Sequence, residues 1–143
     1  MKVVYAETSA VLAWLLGERT LPQPGTVLNS SDKVVTSSLT FLEARRGILC
    51  ASRQQRVTSA ASASLEELLA RTVTQWDMLE ITPEIRIRAG EPFPIEPVRT
   101  LDAIHLATAL RFAKAFPGLP VLSFDERILK NLEPLGLTNA VRA

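Results

Sequence analysis

The stretch from Arg99 to Leu110 reads as a helix with apolar residues on nearly every side. Thr100 is a suitable cap for its first turn, and Ala, Leu and Ile then favour helix for about three turns. Leu101, Ile104, Leu106, Leu110 and Phe112 cannot share one stripe, so the helix is expected at the centre of the molecule, covered on most sides. Asp102 stands one step inside its start, and His105 lies three residues on, on the same face. A buried ionised carboxylate is costly unless a positive charge compensates it. Any fold this chain adopts must supply that charge.

The rest of the chain is arranged as short β-branched runs alternating with helical spacing. Lys2 to Ala6 reads as a first strand. The helix after it runs through Ala10 to Leu16, with Thr8 as the expected N-cap and Gly17 as its stop. A second strand is expected at Lys33 to Thr36, after a segment carrying Pro22, Pro24 and Gly25 and a polar cluster from Asn29 to Asp32. Residues 39–53 read as a helix bearing Glu43, Arg45, Arg46 and Arg53, and Ser59 to Arg71 as another with Leu65, Leu68 and Leu69 inward. Trp76 to Thr82 is a third expected strand, and Pro83 opens a short helix. Residues 91–98, with three prolines, form a bent connector into the Asp102 helix. Pro120 to Phe124 is a fourth strand, Ile128, Leu129 and Leu132 mark a helix, and Leu137 to Val141 is a final edge strand.

Such alternation predicts an α/β fold, a mostly parallel sheet covered on both faces, in one domain spanning residues 1–143. The hydrophobic share of 47% and charged share of 22% argue against disorder. A net charge of +1 neither demands nor excludes a nucleic-acid partner. Cys50 is the only cysteine, which excludes an internal disulfide and fits a reducing compartment. It is expected to be a small buried residue of its helix. With no signal-like or membrane-length apolar run, the cytoplasm is the expected location.

Right-handed crossovers place the C-terminal ends of all strands on one rim, where such sheets bind ligands. Glu7 follows the first strand and Asp125 the fourth; Asp102 opens a helix at that rim, and Glu43 lies one turn into the helix after the second strand. Taken singly, Asp125 is explained as a helix cap, Asp102 by the helix dipole and Glu43 by ion pairing, whereas Glu7 has no evident capping task. Taken together, four acids converge on one pocket. Two carboxylates about 5 Å apart repel by roughly 3 kcal/mol at an effective dielectric near 20, so four must take up protons or bind a cation. Their oxygen donors suit magnesium or manganese, not zinc. One or two such ions activate water and stabilise the departing alkoxide in phosphodiester hydrolysis. His105 is read as ordering the site by hydrogen bonding rather than as a base, and Thr8 and Ser9 as supporting contacts. Arg45 and Arg46, with Arg53 and Arg56, are candidate contacts for a phosphate backbone, an acidic protein segment or solvent.

The segments Tyr5 to Ala10, Leu101 to Ala107 and Ser123 to Arg127, with Glu43 between them, resemble the successive motifs of the PIN domain family, in particular the VapC-type toxins of toxin–antitoxin pairs. The resemblance spans nearly the whole chain; Leu-Asp-Ala-x-His-Leu-Ala is its most specific piece. It implies a three-layer α/β/α sandwich and a magnesium- or manganese-dependent endoribonuclease with Glu7, Glu43, Asp102 and Asp125 as catalytic acids. Glu7, Asp102 and Asp125 would hold the metal. It also implies a homodimer and a cognate antitoxin. One residue departs from the family pattern: the first acid is usually aspartate, and here Glu7 is longer by one C–C bond, roughly 1.5 Å. That departure is the best support for the alternative, a weak or non-catalytic module that binds RNA or protein. A phospho-accepting receiver-like domain, a further alternative, needs adjacent acids after the first strand and a rim lysine, and the chain has neither pattern.

Overall fold

Five short strands form the centre: β1 (Val3–Ala6), β2 (Lys33–Ser37), β3 (Asp77–Leu79), β4 (Pro120–Leu122) and β5 (Thr138–Asn139). The structure is a computed structural model and describes residues 1–20 and 22–141. Every strand pairing is parallel, in the order β3-β2-β1-β4-β5. Successive side chains of a strand point to opposite faces, and this divides the core in two. Val3, Tyr5, Val35 and Val121 face one way, onto α6 (Thr100–Ala113) and α7 (Glu126–Leu132), with the end of α5 (Pro83–Ala89) at the margin. Val4, Ala6, Val34 and Leu122 face the other way. They meet α1 (Thr8–Leu15), α2 (Pro24–Ser30), α3 (Ser38–Arg53) and α4 (Ser59–Val73). The result is the expected three-layer α/β/α sandwich, with a sheet parallel throughout.

The strand order positions the site. The chain builds β2 and β3 on one side of β1, then crosses to place β4 and β5 on the other. The crevice at such a switch point opens outside the carboxyl ends of the two strands that flank it, here β1 and β4. Glu7 N–H donates to Leu122 O at 3.0 Å, fastening those two ends together.

Several local expectations are corrected. Residues 24–30 are helical: Pro24 sits in the first turn, where its missing N–H costs nothing, and the absence of a Cβ at Gly25 admits the Trp14 ring. β3 keeps only three residues, as befits an exposed edge strand. Thr8 is the first helical residue of α1 rather than its cap, which is Glu7. Thr100 likewise lies inside α6, whose cap position is Arg99. Leu101, the second residue of α6, is exposed, whereas the middle of the helix is buried. Cys50 is exposed too. The inner stripe of α3 runs through Thr40, Ala44, Ile48 and Ala51, and Cys50 lies about 200° around the helix from Ile48.

Ile48, fully buried between α1 and the sheet side of α3, and Cys50 give a paired test. Ile48→Ala is expected to cost about 2–5 kcal/mol in urea unfolding. Cys50→Ser should change stability by less than about 0.5 kcal/mol.

Candidate active site

A cavity of about 500 Å³ opens at the switch point, and Glu7, Glu43, Asp102 and Asp125 all line it, with Thr8, Ser9, Arg99 and His105. The four acids arrive from four separate elements. Glu7 ends β1 and caps α1, Glu43 sits on α3, Asp102 in the first turn of α6, and Asp125 caps α7. Asp125 therefore performs the capping role as well, accepting from Arg127 N–H at 2.9 Å.

Glu7 is the most heavily bonded of the four. Its Oε2 accepts from Ser9 N–H at 3.1 Å, and its Oε1 accepts from the hydroxyls of Ser9 at 2.5 Å and Ser123 at 2.6 Å. With their protons committed to Glu7, those hydroxyls accept from the chain beyond β4: Ser9 Oγ from Phe124 N–H at 2.8 Å, Ser123 Oγ from Asp125 N–H at 3.0 Å. One carboxylate thus fixes both the entry to α1 and the turn that aims Asp125.

Glu43 is held by a second network. Its Oε1 accepts from Thr8 Oγ1 at 2.5 Å and lies 2.7 Å from His105 Nε2. On the far side of the ring, Tyr5 Oη is 2.9 Å from His105 Nδ1. Burial, together with the charges of Glu7 and Glu43, pushes the Tyr5 phenol well above its ordinary range, so it remains a proton donor. The Glu43 carboxylate, an acceptor 2.7 Å from Nε2, calls for a proton on Nε2, with Thr8 Oγ1 at 3.2 Å beside it, and a neutral ring then leaves Nδ1 to accept from Tyr5 Oη. Burial alone would raise the Glu43 pKa; the hydrogen bonds from His105 and Thr8 outweigh it and leave the carboxyl below its ordinary value. His105 is buried between Tyr5 and Glu43 and in contact with both.

Asp102 and Asp125 share a partner of their own. Arg99 Nε lies 3.4 Å from Asp102 Oδ2, and Arg99 Nη2 lies 3.9 Å from Asp125 Oδ2. The charge that compensates Asp102 here comes from its own helix cap. Because Glu7 folds back onto Ser9 and Ser123, it does not join the two aspartates. No three His, Cys, Asp or Glu side chains among the described residues converge closely enough to hold a metal ion in this conformation. The donor chemistry still fits a hard divalent ion: the acids supply only oxygen, and a cationic group already lies against Asp102 and Asp125.

Arg45 and Arg46 are exposed and line no part of the acid cavity; Arg45 pairs with Glu66 on α4 at 3.8 Å. Tyr5, Arg99 and Ser123 were not singled out as site residues by the sequence, although each carries a signal. Tyr5 is a buried phenol needing a partner, Ser123 precedes Asp125 at turn spacing, and Arg99 stands three residues before Asp102.

The PIN domain family matches this sequence over residues 4–133, nine-tenths of the described chain. The chain belongs to the PIN domain family. Among its relatives, Ribonuclease VapC35 of Mycobacterium tuberculosis is 30% identical over 137 residues, covering 94% of this chain and 93% of the relative. Ribonuclease VapC45 of the same species is 28% identical over 128 residues, covering 90% and 88%. A solved toxin–antitoxin complex from Klebsiella pneumoniae aligns with a TM-score of 0.64 at 14% identity, covering 96% of this chain and 97% of that one. At that identity the likeness is one of fold. PIN membership also removes the receiver-like alternative.

The Glu43 network has a pH signature. A carboxyl whose folded pKa is lowered stabilises the fold above its unfolded pKa, and that contribution is lost as pH falls through the folded value. Wild type is therefore expected to lose its stability advantage over Glu43→Gln as urea-unfolding measurements move from neutral pH down through the carboxylate range. A difference that stays constant with pH would contradict the ionised network.

Proposed function

We propose that this PIN domain is a magnesium- or manganese-dependent endoribonuclease and the toxin of a toxin–antitoxin pair. The observation that carries the reading is the convergence of four acids from four elements on one cavity at the β1/β4 switch point. The relatives named as ribonucleases, matched along nearly their full length, support it. The similar fold of a toxin–antitoxin complex supports a cognate antitoxin as partner. We also infer a homodimer and a cytoplasmic RNA substrate. No helix among the described residues is long and apolar enough to cross a membrane.

In this reading Asp102 and Asp125 would hold the ion, with Glu7 adding a third negative charge at the cavity wall while it fixes the direction of Asp125. A bound Mg²⁺ or Mn²⁺ supplies positive charge at the scissile phosphate and makes water more acidic. Glu43, kept ionised by His105 and Thr8, accepts the proton of the attacking water. Tyr5 locks the imidazole so that its Nε2–H faces Glu43 and does not draw a proton from the reaction. Arg45 and Arg46, near Glu43 on α3, are the candidate contacts for RNA outside the cavity.

One observation favours the second reading, a non-catalytic PIN module: both Glu7 oxygens already accept from Ser9 and Ser123. Incubation with a panel of RNAs separates the two. Cleavage is expected with Mn²⁺ or Mg²⁺, abolished by EDTA and by Asp102→Asn, and slowed about 10²- to 10⁴-fold by Glu43→Gln. Cleavage that survives EDTA contradicts the metal mechanism. RNA binding with no cleavage under any metal condition supports the non-catalytic module.

A further inference from the structure

Among the described residues, Arg99 is the one arginine or lysine lining the acid cavity. It occupies the cap position of α6 yet caps nothing with its side chain, which is 65% exposed and, among the described residues, is ion-paired only with the two aspartates. The backbone leading to it is firmly tied. Glu96 accepts from Phe93 N–H at 2.9 Å and from Val98 N–H at 2.7 Å, while the Asn131 side chain bonds both the N–H and the carbonyl of Ile95. The Arg99 carbonyl accepts from Ala103 N–H at 2.8 Å, so the displacement at issue is one of its side chain.

We propose that Arg99 is an internal counter-ion: in the metal-free chain its guanidinium holds Asp102 and Asp125, and on metal uptake it is displaced outward to grip the phosphate backbone of RNA. The inference rests on the nuclease reading and assigns this chain a residue that couples metal binding to RNA binding. Like charges exclude one another, so a divalent ion held by the same two aspartates and the guanidinium cannot both occupy that space. Once released, the guanidinium stands at the mouth of the cavity. There its planar pair of donors matches two phosphate oxygens, as a lysine ammonium does not.

The test compares wild type, Arg99→Gln and Arg99→Lys. In Mn²⁺ titration calorimetry without RNA, Arg99→Gln should bind the ion about three- to tenfold more tightly, the factor released when the two ion pairs of the exposed guanidinium no longer have to be broken. Without metal it should melt below wild type, and saturating Mn²⁺ should erase the difference. Arg99→Lys should keep Mn²⁺ affinity near wild type. In a Glu43→Gln background that slows cleavage, both Arg99 substitutions should weaken binding of an RNA oligonucleotide several-fold in Mn²⁺ and leave it unchanged in EDTA. An Arg99→Gln protein with wild-type Mn²⁺ affinity, or with wild-type metal-free melting, overturns the inference; the nuclease reading then stands if wild type binds Mn²⁺ and cleaves RNA. If neither wild type nor Arg99→Gln takes up Mn²⁺, both readings fail together.

Discussion

The carboxylate of Glu7 is the joint on which the site is assembled. It lies at the end of the central strand β1, nearly sealed from solvent, and collects the Ser9 amide and the Ser9 and Ser123 hydroxyls. Through those hydroxyls it reaches the amides of Phe124 and Asp125. A charge-assisted hydrogen bond contributes about 1.5–3 kcal/mol, and leaving such a buried carboxylate unpaired would cost at least as much. The switch-point crevice is thereby closed at its base. The direction in which Asp125 leaves β4 follows from a residue far away in sequence.

With Glu7 so engaged, the four acids divide into two kinds. Glu7 and Glu43 are satisfied by neutral or polar donors of the chain, one by serines and the other by threonine and a buried imidazole braced by Tyr5. Asp102 and the second oxygen of Asp125 face a charge instead, and that charge sits on an exposed side chain, while the first oxygen of Asp125 stays on the Arg127 amide. Donors built into helices and strands are hard to displace, whereas a pair whose cation reaches into solvent is screened on that side and yields more readily. The pair that can exchange its cation is thus Asp102 and Asp125. The chemistry of the cavity follows from that difference in how firmly each acid is held.

The layers and the rim were legible in the residues because period-two runs and helical spacing alternate cleanly, and because each acid falls just beyond a strand or just inside a helix. Finer features were set by tertiary contacts. Pro24 and Gly25 look like loop residues, yet one sits where a helix tolerates proline and the other where a Trp14 ring needs room. Cys50 and Leu101 are apolar but fall on outward faces that their own spacing defines only once the partner helices are known. Thr8 is the more usual cap by residue type, and Glu7 takes the position because the serines around it complete its hydrogen bonds. That all four acids line one rim cavity was readable; that Glu7 turns onto the serines and Arg99 intervenes depended on contacts with Ser123 and on the path of the connector before α6.

The account of a cation-holding site stands or falls on where a divalent ion binds. Crystals soaked in Mn²⁺ and measured at a wavelength where manganese scatters anomalously would locate it directly. An anomalous peak bonded by Asp102 and Asp125, with the Arg99 guanidinium moved away from both, is the expected result. No peak at saturating Mn²⁺, or a peak elsewhere with Arg99 still bridging the two aspartates, would contradict it.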